Sequence, residues 1–357
     1  MSLPPGSVIR GRGVATRPAG RFAREETCPE PDDDDPPAPA PGTELIPETI
    51  RSIISRNQSP DIPFEQSINP YRGCEHGCVY CYARPSHAYM DLSPGLDFEQ
   101  KIYTKPEAAA VLRQELSRRG YRCSPITLGA NTDAWQPAER ELRITRQILE
   151  VLVEFRHPVS IITKSALVER DLDLLQDLAR DNLVHVLVSV TTLDDELKRR
   201  MEPRTAGPKR RLETVSRLSA AGIPCGVLAA PMIPGLNDHE LENILAASAD
   251  AGARFAGYVL LRLPHEVEPI FADWLQLQYP LKAAKVLSLI RQVRGGSLND
   301  AQFGSRMRGS GPLAALLAQR FAAACRRHRF TRESEAALDS TRFRVPEGPG
   351  TQLSLLG

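Results

Sequence analysis

"NPYRGCEHGCVYCYARP", residues 69–85, places three of the chain's seven cysteines, Cys74, Cys78 and Cys81, in the spacing C-x3-C-x2-C. Three thiols are an odd number for a disulfide framework and one too few for a tetrahedral zinc site, which takes four ligands. His76 is the only nearby candidate for a fourth, and it lies between two of the cysteines in a loop too short to turn it easily onto the same ion. The other cysteines, Cys28, Cys123, Cys225 and Cys325, stand alone. A cubane iron–sulfur cluster normally takes four thiolates, one per iron, so three would leave one iron open to another ligand.

Outward from this stretch the chain alternates short β-branched runs with amphipathic helical segments. Strands are expected at 66–71, 125–130, 159–163, 184–190, 224–231 and 256–261. Helices are expected at 106–119, 138–155, 168–180, 210–221 and 238–251, with two more at 282–294 and 313–327. Such alternation argues for parallel strands joined by crossover helices, an α/β fold that is a partial (β/α)6 TIM-type barrel with a helical C-terminal extension. Chemistry in parallel barrels sits on the loops after the strands, and Cys74 comes three residues after the first expected strand.

The barrel is expected over 45–280. Residues 1–44 open with arginines and run into EPDDDDPPAPAPG, a composition unable to bury a core, so they are expected to be disordered. A basic helical extension is expected at 281–332 and a flexible tail at 333–357. The 357 residues carry 41% hydrophobic residues, enough for a sizeable core, and a formal net charge of +1. No apolar run approaches the roughly 18 residues of a membrane span, and MSLPPGSVIRGRG lacks a signal-peptide apolar region, so a cytoplasmic protein with no membrane partner is expected. The net charge excludes little, but its distribution is uneven. Residues 291–332 hold nine arginines, no lysine and one acid, Asp300, and a second basic group runs from Lys198 to Arg211. The first of these could contact nucleic acid phosphates, with Arg306 and Arg308 set among glycines.

The cysteine stretch resembles the signature of the radical S-adenosylmethionine (SAM) superfamily, C-x3-C-x-aromatic-C, with Tyr80 as the aromatic. The resemblance implies a 4Fe-4S cluster on Cys74, Cys78 and Cys81, SAM chelated to the open iron, and reductive cleavage to a 5′-deoxyadenosyl radical that abstracts hydrogen from a substrate. It also implies SAM contacts at Tyr80, at Thr132 and Asp133 in GANTD, at Lys164 in TKS, and at Ser189, and an electron donor such as flavodoxin or ferredoxin. Within the superfamily, NPYRGCEHGCVYCYARP, TKS, EPRT (202–205), APMIPGLND (230–238), RGGSLND and FGSRMRGSG resemble the spore photoproduct lyase-like, or DNA repair photolyase-like, group. That implies a lyase-like repair enzyme acting on a nucleic acid lesion. Ala130 stands where the thymine-lesion lyases carry a hydrogen-donating cysteine, which argues against an identical reaction. The final TQLSLLG resembles, at Gln352–Leu356, the short peptide by which bacterial repair proteins dock on the DNA polymerase sliding clamp. Two alternatives stay open: the same chemistry on a protein, peptide or metabolite, and a non-catalytic metal-binding module that holds nucleic acid.

Overall fold

The computed structural model describes residues 9, 11–22, 42–331 and 337–346. Cys28, Arg332 and the Gln352–Leu356 peptide lie outside them. Six parallel strands form the body: β3 (Gln66–Ile68), β6 (Ile126–Leu128), β7 (Val159–Thr163), β8 (Val184–Ser189), β9 (Cys225–Met232) and β10 (Phe255–Leu260). They lie side by side in sequence order, and β2 (Ile54–Arg56) adds an antiparallel edge beside β3. The six are those expected from sequence. Their β-branched runs are buried on both faces, most completely at Val184–Ser189, as a sheet flanked by helices requires. The sheet ends at β10 on one side and β2 on the other, so the barrel is open.

The first strand stops at Ile68, short of the expected residue 71, because Pro70 cannot donate to a ladder. Tyr71–Arg72 (β4) instead pairs antiparallel with β5 (Lys101–Thr104), which also pairs with β1 (Glu44–Pro47) in a separate three-stranded sheet. The crossover helices are α2 (Ala108–Leu116), α4 (Ile144–Glu154), α5 (Leu172–Arg180), α7 (Pro208–Ala220) and α8 (Leu241–Asp250). The helix expected at 138–155 is broken: α3 (Glu139–Leu142) ends at Arg143, which has φ 52°. The buried Glu139 carboxylate turns back to accept from the Thr145 amide at 3.0 Å, which caps α4 and sets the break. Another short helix, α1 (Asp97–Gln100), precedes β5.

Three further helices cover the C-terminal mouth of the barrel: α6 (Asp195–Met201), α9 (Val267–Gln278) and α10 (Pro280–Val293). Their apolar residues, including Leu197, Met201, Phe271 and Trp274, pack with Cys78, Val79 and Tyr80 in an apolar cluster separate from the main core. Finally α11 (Gly311–Arg327) packs on α8. No helix among the described residues is long and apolar enough to cross a membrane.

Residues 11–22 depart from the expected disorder of 1–44. They run across the cysteine loop, where Gly13 and Val14 amides donate to the Glu99 carboxylate at 3.0 and 3.1 Å. Arg17 meets Asp97 at 3.2 Å and Arg21 meets Glu266 at 2.9 Å. The order comes from these distant partners rather than from local propensity. The Pro/Asp-rich part of the segment, 23–41, lies outside the described residues.

Candidate active site

The cysteine loop hangs between β4 and a 3-10 helical stretch, Arg84–Met90, and its backbone is held from every side. The Cys74 amide donates to Phe98 O at 2.9 Å, and the Val79 amide to Met201 O at 3.0 Å. Gln136 brackets the start of the loop, accepting from the Glu75 amide and donating to Gly73 O. Arg84 reaches Cys78 O at 3.0 Å through Nε, and its Nη2 pairs with Glu99 at 2.5 Å in a fully buried ion pair. Gly77 turns the loop with φ 67°, and a Cβ on Gly13 would fall 1.7 Å from Gly77 O, so the N-terminal segment can cross there only as glycine.

Cys74, Cys78 and Cys81 are free thiols, the first two buried and the third partly exposed. Burial, then Asp133 and the neighbouring thiols, raises Cys74 well above its ordinary pKa. Burial, then Glu202, raises Cys78 to about 12. Thiols held this close in an apolar pocket are favoured as thiolates only when a positive centre binds them, which is what an iron–sulfur cluster supplies. No group of three or more His, Cys, Asp or Glu side chains among the described residues closes on a single ion. In a cubane each thiolate takes its own iron, so three thiolates on one loop would meet three of the four irons. His76 is buried, with Nδ1 turned 3.4 Å from Asp133. The donor set therefore fits a three-thiolate cluster.

Around the loop stand the ends of the other strands. After β6, Thr132 is buried and its hydroxyl donates to Tyr71 O at 3.1 Å. The Asp133 carboxylate accepts from Thr163 Oγ1 and the Lys164 amide, both at 2.7 Å, from the Trp135 amide at 3.0 Å, and faces His76. Two carboxylate oxygens accept about four hydrogen bonds, so these three leave room for one more. Asp133 thus joins the β6 and β7 loops to the cysteine loop. Lys164, after β7, keeps its ammonium 5.9 Å from the Tyr80 ring centre, with no hydrogen bond or ion pair among the described residues. Ser189, at the end of β8, is buried and donates to Ala230 O at 3.3 Å.

Behind Tyr80 lies a buried hub absent from the expected site residues. Glu202 accepts from the Tyr80 hydroxyl and from Thr191 Oγ1 at 2.6 Å, and it pairs with the buried Arg211. Burial pushes this carboxyl up, but Arg211, Lys164 and the two hydroxyls outweigh it and hold it at about 2. The EPRT stretch contained this residue, but only the fold shows that it anchors the aromatic of the cysteine motif. Asn237 ties the neighbouring strand ends together, donating to Thr191 O at 2.7 Å and Pro231 O at 3.0 Å.

The mid-chain basic group is largely engaged inside the molecule, whereas Arg291, Arg308, Arg326, Arg327 and Arg329 of the C-terminal group are exposed. Arg204 pairs with Glu75, Arg210 with Glu169 and Arg211 with Glu202, and Lys198 is buried. In the C-terminal group, Arg306 meets Asp61 at 2.6 Å and Arg320 meets Glu242 at 2.6 Å, while Arg308 is exposed. Arg306 thus holds Asp61 through Nε and Ser59 through Nη2.

The family profile described as Radical SAM superfamily matches residues 68–247, half of the chain and the part that carries the cysteine loop and four of the six parallel strands. An uncharacterised protein of Mycobacterium tuberculosis is 38% identical over 233 residues, 65% of this chain and 68% of that one. An uncharacterised protein of Methanocaldococcus jannaschii is 28% identical over 216 residues, 60% of this chain and 76% of its own. Among solved structures, spore photoproduct lyase complexed with dinucleoside spore photoproduct superposes with a TM-score of 0.59 at 15% identity, over 80% of this chain and 79% of that one. At that identity the likeness is one of fold.

Proposed function

The chain belongs to the radical SAM superfamily, whose enzymes use a 4Fe-4S cluster and SAM, and from that premise we propose that it is a lyase-like enzyme that takes hydrogen from a nucleic acid lesion. The observation that carries the reading is the cysteine loop at the mouth, with three free thiols on one loop and an unpaired Lys164 beside them. When bound, the cluster and SAM supply a 5′-deoxyadenosyl radical, and Cys74, Cys78 and Cys81 are the residues that would hold the cluster. The chain's own part is to bind, orient and exclude water. Lys164 is placed to pair with the carboxylate of SAM, and Asp133 fixes it by accepting from its amide. The Tyr80 hydroxyl keeps its proton and donates it to Glu202, which locks the ring beside the thiols. The apolar residues of α6, α9 and α10 close that side against water. A one-electron donor is required, and a flavodoxin or ferredoxin is the expected kind.

The nucleic acid substrate is supported by motifs shared with the photolyase-like group and by a fold like that of a lyase solved with a dinucleoside lesion. Ala130 stands at the mouth with its carbonyl accepting from the Tyr82 hydroxyl, so the lesion reaction does not end with a cysteine at that position. To test the reading, chain purified without oxygen is given SAM, a reductant and oligonucleotides deuterated at candidate damage sites. About four irons per chain and deuterium in 5′-deoxyadenosine are expected. Iron with SAM cleavage but deuterium only from a peptide or metabolite would move the substrate to those classes, and zinc without iron would end the enzyme reading.

A further inference from the structure

The fully buried arginines of this protein all have partners. Arg84 pairs with Glu99, Arg211 with Glu202, and Arg294 donates to the carbonyls of Leu260, Leu261, Ser305 and Arg306. Arg262, which is half-buried, is served less well than these. It lies two residues beyond β10, at the mouth, and its Nη1 reaches only the Met307 sulfur, at 3.5 Å. Its Nε is buried without a hydrogen-bond partner, and no carboxylate pairs with it among the described residues. Asp61, the acid close enough to be felt, is already engaged by Arg306 Nε at 2.6 Å and the Gly304 amide at 2.7 Å. Burial and then Arg306 act against the charge of Arg262, with Tyr82 and Asp61 only partly offsetting them. Arg262 is half-buried, its Nε is buried without a partner, and no carboxylate pairs with it among the described residues, so its place at a site mouth suits an anion supplied from outside.

The surroundings say which anion. The Arg262 guanidinium lies 5.5 Å from the centre of the Tyr82 ring, which is 45% exposed. Beside it Arg306 lies 4.6 Å from the centre of the Phe303 ring, 62% exposed, and Arg308 is also exposed. Exposed aromatic faces alternating with cations suit the bases and phosphates of a single strand. The carboxylate of SAM is served elsewhere, because Lys164 follows β7, three places from β10 in the sheet.

We propose that Arg262 is the receptor for a backbone phosphate of the substrate strand, holding it against the Tyr82 ring at the mouth of the barrel. This rests on the nucleic acid reading above. A backbone phosphodiester presents two non-bridging acceptor oxygens that match the planar guanidinium fork, where an ammonium would make a single point contact.

The test measures binding of a fluorescent single-stranded oligonucleotide to the iron-loaded full chain over a salt series, for wild type, R262Q and R262K, with iron content as the check on integrity. R262Q is expected to weaken binding about tenfold and to lower the slope of log affinity against log salt by about 0.7, the value of one phosphate contact on a single strand. R262K should restore the slope while leaving affinity below wild type. Wild-type slope and affinity in R262Q would overturn the proposal while leaving the nucleic acid reading intact. So would a slope that R262K does not restore, or an R262Q chain that has lost affinity for SAM and kept it for the oligonucleotide. Failure of the wild type to bind any oligonucleotide would overturn both readings together.

Discussion

Two tyrosines flank Cys81, each with a cation over its ring, and they belong to opposite regimes. Tyr80 is buried, its hydroxyl bound to an ionised Glu202 that is itself paired with Arg211, and Lys164 stands 5.9 Å from its ring centre. Tyr82 is 45% exposed, its hydroxyl rests on the Ala130 carbonyl, and Arg262 stands over it with an unmet Nε. The Tyr80 hydroxyl belongs to a closed polar network whose partners are supplied by the chain, although the Lys164 ammonium above the ring is not part of it. The Tyr82 side is open and incomplete. The difference teaches that two aromatics, each one residue from the same cysteine, can be fixed to very different degrees, one by a buried ion pair and one by a single backbone carbonyl.

The comparison can be broken most drastically at the thiols. Cys78→Ala should leave a folded chain, by circular dichroism, with no stable cluster and no 5′-deoxyadenosine above background, because Cys78 sits in the closed half and nothing nearby can replace it. Next in size is Glu202→Ala, which leaves Arg211 buried without its counter-ion. A loss of about 3–5 kcal/mol in denaturant unfolding is expected, with lower iron retention. A drop below 1 kcal/mol would show that the hub does not hold the loop.

The same carboxylate gives a pH signature. Its folded pKa of about 2 lies below its ordinary 4.5, so its contribution to stability is full above pH 4.5 and is lost as the pH falls towards 2. Unfolding free energies measured from pH 5 down to pH 2.5 should fall for the wild type, and the fall should be shallower in Glu202→Gln. The smallest expected effect sharpens the contrast between the rings. Tyr80→Phe removes a donor from a buried carboxylate and should cost about 1–3 kcal/mol, whereas Tyr82→Phe should change stability by less than about 0.5 kcal/mol. Equal losses from the two changes would mean that Tyr82 belongs to the closed network as well.

Much of this arrangement was legible in the sequence, and the limits have physical causes. The six parallel strands could be read because strands buried on both faces need runs such as Val184–Ser189 that few other structures favour. The cysteine loop was legible from spacing alone. Helix α6 was hidden among the basic residues read as a charge patch, although Asp194 caps it by accepting from the amides of Glu196 and Leu197. Helix α9 was hidden because Pro269 and the flanking prolines of LRLPHEVEPIFADWLQLQYP mask its periodicity. Charge counting has a more general limit. A count cannot see partners, and Arg204, Arg210 and Arg306 are paired with acids far away in the chain. The hub residue Glu202 was invisible for the same reason, since its partner Tyr80 is 122 positions distant.

The crossing of Gly13 over Gly77 has a consequence in time. Residues 11–22 emerge from the ribosome before any partner exists, and Val14 must wait for Glu99, 85 positions later, before its amide can be met. At the ordinary pace of synthesis, that interval is about 4–17 s. Throughout it the thiol loop is either unmade or still uncovered on that side. The strap is therefore the first part of the site to be made, and it can take its place only once Glu99 has followed it.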